Sequence, residues 1–369
     1  MASERQIEVG GIPIGGGAPV SVQSMTTTKT HDVAATLEQI RRLREAGADI
    51  VRVAVPGLPD ADALPAIVAG AGLPIIADIH FNSSLALRAL DTGVAAVRIN
   101  PGNIGGPDKV EAVVRKAQAT GTPLRIGANS GSLPEHLRPM ATADPAGALV
   151  DAALEEVELL ERLGFQNFKI SVKSSSVPVM IEAYRRLAAK VPYPLHLGVT
   201  EAGLPAAGTV KSAIGIGTLL AEGIGDTIRV SLTADPVQEV AAAFEILKAL
   251  GLRQKGPNLI ACPSCGRTNV EVHELAGEVD TRLQTYEEHF EVAVMGCAVN
   301  GPGEAGNADF GIAGGRDSGF IYAHGEVLRK VPQADLVNEL FREIDAWIAN
   351  GMPRPDRGRG MRVIGVVGA

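Results

Sequence analysis

Between residues 20 and 236, short β-branched runs alternate with longer amphipathic stretches, the order that builds a parallel sheet with helices packed outside it. Eight runs predict strands, at 20–25, 50–55, 75–81, 96–100, 124–129, 168–173, 195–200 and 228–233, each followed by enough chain for a helix. Eight such units predict a (β/α)8 barrel. In the first helix Asp32 or Thr36 is available as cap, Leu37, Ile40 and Leu43 recur at helical spacing, and Gly47 is the stop. A weak repeat supports the count: Gly47, Gly93 and Gly164 end helical stretches, and Arg52, Arg98 and Lys169 follow five positions later. Residues 6–14, around Gly10 and Gly11, read as a hairpin plugging the barrel floor.

The period fades after residue 250. The expected division is a barrel over 1–250, a linker at 251–258, an α+β domain over 259–350 and a tail at 351–369 to which no role is assigned. Within the small domain the pattern predicts strands at 258–261 and 291–296, a helix at 269–285, and a hairpin at 309–323 turning at 317–319. A closing helix at 333–349 carries Leu336, Val337, Leu340, Phe341, Ile344 and Trp347 on one face.

Composition narrows the function classes. At 369 residues, with 46% hydrophobic and 21% charged residues, the chain reads as a folded globular protein of more than one core. A net charge of −8 argues against nucleic acid and anionic membranes as partners, so an anionic ligand has to be held by locally gathered Lys and Arg. No leader pattern and no spanning apolar run is seen, and the reading is cytoplasmic.

Strand alternation locates those cations. With Val51, Val53 and Val55 against the helices, Arg52 points into the barrel; the same reasoning turns Arg98, Asn100, Arg125, Asn129, Lys169, Lys173, His196, Thr200, Arg229 and Ser231 inward, and strand three adds Asp78 and His80. A barrel interior is ordinarily filled by layers of Val, Ile and Leu. Six inward cations facing the one carboxylate of Asp78 predict a site for a diphosphate, which accepts charge-assisted hydrogen bonds from them. Glu201, beside Thr200 where barrel enzymes carry reacting groups, is the candidate proton donor.

The cysteines are the second signal. The chain has three, Cys262 and Cys265 in CPSCGR and Cys297 in VMGCAVNGPGEAG, too few and too uneven for a disulfide framework. Three thiolates can converge on one metal centre, an iron-sulfur cluster or zinc; the nearest histidines, His273 and His289, lie in or beside the predicted helix rather than on a ligand turn. Glu304 in the NGPGEAG turn supplies a fourth, oxygen ligand, and Asn300 in the same turn is close enough in sequence to reach a molecule bound there.

Taken together, VQSMTTTKTHD, ADIHFN, VRINPGN, VTEAG, CPSCGR and GCAVNGPGEA resemble the 4-hydroxy-3-methylbut-2-enyl diphosphate synthases over nearly the whole chain, in their shorter two-domain bacterial form. The resemblance implies an oxidoreductase of the methylerythritol phosphate pathway. It opens 2-C-methyl-D-erythritol 2,4-cyclodiphosphate with two electrons from flavodoxin or ferredoxin. It also implies a 4Fe-4S cluster on Cys262, Cys265, Cys297 and Glu304, and a homodimer in which the cluster domain of one protomer closes over the barrel of the other. By the same resemblance Arg52, Arg98, Asn100, Arg125, Asn129, Lys169, Arg229 and Ser231 become substrate contacts, Glu201 the proton donor, and Asn300 and Glu304 the mobile edge of the cluster. The run Thr26–Thr28 departs from the Thr-Asn-Thr of relatives.

Two other readings use the same residues. A barrel lyase or pterin-type transferase with a structural zinc module keeps the phosphate cradle and needs no electrons. A non-catalytic module binding a partner through its metal domain leaves the cationic interior unexplained.

Overall fold

The computed structural model describes residues 3–101, 104–268, 270–297 and 301–353. The chain forms two compact units that part between Arg253 and Gln254.

The first unit opens with a hairpin of β1 (Gln6–Val9) and β2 (Ile12–Gly15). Eight parallel strands follow: β3 (Ser21–Met25), β4 (Ile50–Ala54), β5 (Ile75–Asp78), β6 (Ala96–Arg98), β7 (Leu124–Ile126), β8 (Phe168–Ile170), β9 (His196–Leu197) and β10 (Thr227–Ile228). Each pairs with the next in chain order except β8 and β9, β10 pairs back onto β3, and a bridge from Ile170 to Leu195 links β8 to the chain entering β9. The ring is thus a nearly closed TIM barrel. Paired segments are shorter than the apolar runs suggest, although single backbone bonds continue past their ends, from Ile79 N–H to the Arg98 carbonyl at 2.9 Å and from Ile99 N–H to the Arg125 carbonyl at 3.0 Å.

Nine helices of this unit lie in the described residues: α1 (Val33–Ala46), α2 (Leu58–Gly70), α3 (Ser83–Leu90), α4 (Pro107–Thr120), α5 (Arg138–Ala143), α6 (Pro145–Arg162), α7 (Val177–Ala188), α8 (Pro205–Ala221) and α9 (Pro236–Ala249). In α1 the cap is Asp32, whose side chain accepts from the Ala35 N–H; Ile40 and Leu43 are buried, and Gly47 closes the helix at φ 100°. Thr36 instead lies inside the helix, its hydroxyl 2.8 Å from that of Thr28.

The hairpin turns at Gly10–Gly11 and packs Ile7, Val9 and Ile14 against Ile50, Ile76 and Ala96. Burying each isoleucine contributes roughly 2 kcal/mol, which keeps the hairpin docked as the barrel floor. Because strand residues two apart share a face, the same columns that are apolar at the floor continue upward as Arg52, Asp78 and Arg98. Outward-facing Val51, Val53, Val97 and Ile126 join the helices in one continuous core.

The second unit is a five-stranded mixed sheet of β11 (Asn258–Ala261), β12 (Glu291–Met295), β13 (Phe310–Ala313), β14 (Ser318–Ala323) and β15 (Glu326–Pro332) with helices α10 (Val272–Leu283) and α11 (Leu336–Ala349). The first three strands run parallel and the last three are antiparallel neighbours. All six apolar residues of the α11 stripe are buried, with Phe290 and Phe310 beside Trp347.

Two expectations are corrected here. The β13–β14 turn falls at 314–317, not at 317–319. Gly319 lies within β14, where a Cβ would come within 2.6 Å of the Ala313 carbonyl oxygen, so close strand approach rather than turning requires that glycine. Strand β15 was not anticipated, because it is an exposed edge in which Glu326, Arg329 and Lys330 break any apolar alternation.

Candidate active site

The rim ends of the barrel strands enclose two adjoining cavities of about 480 and 260 Å3. His80, Arg98, Asn129, Thr200 and Glu201 line both; Asn100 faces the larger, and Arg52, Asp78, Arg125, Lys173, Arg229 and Ser231 the smaller. Lys169 sits deeper, fully buried, with its Nζ 3.4 Å from the Thr227 hydroxyl. Of the residues expected in the barrel, the structure therefore brings all but Lys169 and His196, both fully buried, to the cavity walls.

Asp78 ties the cluster together. Its Oδ1 accepts from Arg98 Nη1 at 3.1 Å, and its Oδ2 pairs with Arg52 Nε at 3.5 Å. Arg98 Nη1 is also 2.7 Å from His80 Nε2. Arg125 donates from Nη2 to the Ser171 hydroxyl at 2.9 Å and leaves Nη1 without a hydrogen-bond partner. Gly198 makes room for Lys173: a Cβ there would stand 3.2 Å from its Nζ.

Crowding these cations in a dry interior lowers their proton affinities. Burial draws Arg52 down to about 10, Asp78 partly opposing it while Arg229 and Arg98 add to the fall. Burial, then the neighbouring guanidiniums, hold Arg125, Lys169 and Lys173 well below their ordinary values. Burial alone would raise Asp78, but Arg52, His80 and Arg98 outweigh it and hold the carboxyl far below the usual carboxylate range. His196 is fully buried with neither ring nitrogen hydrogen-bonded, and burial followed by Arg125 and Lys173 push it well below its usual value. Such a site relaxes when an anion enters it.

Three features escaped the reading of the sequence. Asp78 is not the sole carboxylate: Glu239, from the first turn of α9, is buried with its Oε2 3.6 Å from Arg229 Nη2. Glu156 of α6 accepts from the Gly127 N–H, and its other oxygen, Oε2, is shielded and has no hydrogen-bond partner; burial pushes this carboxyl up to about 8. Both lie on helices, whose inward reach strand alternation does not reveal. Glu201 adopts φ 53°, a left-handed conformation uncommon for a non-glycine residue and concentrated at functional sites.

In the second unit, Cys262 follows β11 and Cys297 follows β12, its parallel neighbour; the Cys262 N–H donates to the Val294 carbonyl at 2.9 Å. Gly296 lets the CPSC loop close on this end, since a Cβ there would lie 2.5 Å from Val272 and 2.9 Å from Thr268, whose hydroxyl accepts from the Cys265 N–H at 3.0 Å. The Arg267 guanidinium is held above its ordinary value by Cys265 first and then by Cys297 and Cys262. Hydrogen bonds from Arg267 hold the Cys265 thiol below its usual range. Among the described residues no group of three His, Cys, Asp or Glu is already drawn together as a metal site. Glu304 is exposed on a π-helical turn, Gly301–Ala305, that packs on β12 and β13; Asn300 lies outside the described residues.

The GcpE TIM-barrel domain matches residues 4–244 and the GcpE protein C-terminal domain matches residues 258–346. The chain belongs to the GcpE family. A relative from Geobacter sulfurreducens, a 4-hydroxy-3-methylbut-2-en-1-yl diphosphate synthase (flavodoxin), is 53% identical over 94% of this chain and 99% of its own. One of the same description from Clostridium perfringens is 54% identical over 92% of this chain and 98% of its own. Among solved structures, the sialic acid synthetase of Leptospira borgpetersenii matches at a TM-score of 0.48 and 14% identity over 76% of this chain and 97% of its own, too far for its chemistry to bear on a GcpE barrel.

Proposed function

We propose that this GcpE protein is an oxidoreductase, a 4-hydroxy-3-methylbut-2-en-1-yl diphosphate synthase, that reductively opens 2-C-methyl-D-erythritol 2,4-cyclodiphosphate in non-mevalonate isoprenoid biosynthesis. The observation that carries the reading is the set of five cations, Arg52, Arg125 and Lys173 buried and Arg98 and Arg229 partly so, around a cavity of about 260 Å3 in a chain more than half identical to synthases of that name.

The cations bind and orient the diphosphate, the guanidiniums through paired hydrogen bonds that fix its angle and the lysine as a point charge. Asn100, Asn129, Thr200 and Ser231 take the remaining polar edges of the substrate, and His80 and Asp78 hold Arg98 in place. Lys169 lies beneath them in the buried layer, beside the Thr227 hydroxyl. Opening one ring C–O bond and expelling one hydroxyl as water takes two electrons and, counted on fully protonated phosphates, two protons. Glu201, on the cavity wall in its constrained conformation, holds the proton delivered to the leaving hydroxyl at its carboxyl oxygen.

Cys262, Cys265 and Cys297 would hold an iron-sulfur cluster, of the 4Fe-4S type with Glu304 as fourth ligand. Soft thiolate donors suit such a group, and Cys262 and Cys297 follow the neighbouring parallel strands β11 and β12 at the same end of the sheet. When bound, the cluster supplies the two electrons one at a time, received from a flavodoxin or ferredoxin. Asn300, the residue that precedes the Glu304 turn in the sequence, is proposed as a substrate contact. A homodimer fits the apolar outer face of α8, where Val210 and Ile214, together with Leu204 just before the helix, are more than half exposed.

The test is turnover: anaerobic protein with reduced flavodoxin and the cyclodiphosphate is expected to yield 4-hydroxy-3-methylbut-2-enyl diphosphate. Consumption of no substrate by protein with full cluster content would contradict the reading.

A further inference from the structure

Every arginine on the wall of the smaller cavity has an anchor. Asp78 holds Arg52 and Arg98, and Ser171 holds Arg125. Arg229 reaches instead toward a helix: Glu239, 5% exposed in the first turn of α9, sets its Oε2 3.6 Å from Arg229 Nη2. The other oxygen, Oε1, accepts the backbone N–H of Leu232 at 2.9 Å, the residue after Ser231. Neither Glu239 Oε2 nor Arg229 Nε has a hydrogen-bond partner, so the pair stands just beyond hydrogen-bond length with capacity to spare.

We propose that Glu239 is a positioning residue for substrate binding, one carboxylate that aims the Arg229 guanidinium into the cavity and fixes the turn carrying Ser231. The inference rests on the reading that Arg229 and Ser231 hold the diphosphate. A free arginine has many rotamers and loses that freedom when it binds an anion. Holding it from behind moves this loss from binding to folding. The carboxylate is buried among cations to do so: burial raises its proton affinity, and Arg229, the Leu232 N–H, Lys173 and Arg52 all oppose that rise. A side chain serving only to fill space beneath α9 has no use for a charge there.

Neutralisation alone makes the opposite prediction. Removing a carboxylate leaves the cavity more positive, so if Glu239 only balanced charge, Glu239→Gln would bind an anion more tightly. If it positions Arg229, the same variant binds more weakly.

The experiment is calorimetric titration of the full-length, anaerobic holoprotein with 2-C-methyl-D-erythritol 2,4-cyclodiphosphate, using wild type, Glu239→Gln, Arg229→Lys and the double variant. Glu239→Gln is expected to weaken binding about tenfold, the scale on which a misplaced binding group is felt. In the Arg229→Lys background, where the oriented fork is already gone, it is expected to cost less than about twofold more, a non-additivity that a general packing defect does not produce. Unchanged or tighter binding by Glu239→Gln, or fully additive losses, overturns the inference. The same cycle with Glu239→Asp, which keeps the charge but draws it back by one methylene, is expected to weaken binding several-fold and serves if the glutamine variant does not fold; wild-type affinity there also overturns it. If Arg229→Lys itself binds as wild type does, the substrate reading of this cavity fails, and the inference with it.

Discussion

Asp78 accepts a hydrogen bond from Arg98 at 3.1 Å while its other oxygen faces Arg52 at 3.5 Å, so one carboxylate that is 4% exposed holds two cations of the cavity wall in register. Removing one partner of such a buried set leaves the others charged and unpaired, at a cost of about 3 kcal/mol. Asp78→Asn is therefore expected to lower unfolding stability by that amount in urea titrations, with inorganic diphosphate recovering part of it. The folded carboxyl value is depressed, so this contribution is complete above the unfolded value of about 4 and is lost only as pH falls toward the lower folded value. The difference between wild type and variant should thus be constant from pH 5 to 8.

Glu156 carries the opposite sign. Its folded value, about 8, is raised above that of the unfolded chain, so stability tied to its proton is full at acid pH and is lost as pH rises toward 8. Glu156→Gln keeps a neutral side chain in the same place. It is expected to match wild type near pH 5 and to exceed it in melting temperature at pH 8; equal pH profiles would show that this carboxyl is not buried with its proton.

Glu201 separates binding from chemistry. Glu201→Gln is expected to retain cyclodiphosphate affinity within about threefold and to lose a factor of 10² or more in turnover, the scale of general acid catalysis. Stopped-flow rates alongside calorimetry check both halves, and a variant that turns over normally would remove Glu201 from the proton path.

The barrel was legible because its signal is periodic. Val51 and Val53 bracket Arg52, and the other strands repeat that alternation, so the sequence alone turns the cations inward. Depth was not legible: alternation gives the face of Lys169 but not its layer, and Lys169 is fully buried away from the smaller cavity that Lys173 lines. A helix residue reaching inward was missed for the same reason, since Glu239 obeys a helical period and meets Arg229 only through tertiary packing. In the second unit the apolar stripe of α11 was plain from its spacing, whereas β15, an exposed and charged edge, has no pattern that distinguishes it from a loop.

The central claim is that the three cysteines hold a redox cluster that acts on the molecule bound in the barrel. Anaerobic iron and sulfide analysis, joined to electron paramagnetic resonance of the reduced protein with and without the cyclodiphosphate, tests it most directly. The account predicts about four irons and four sulfides per chain and a spectrum that changes when substrate is added. One zinc with no sulfide, or a cluster whose spectrum ignores the substrate, would contradict it.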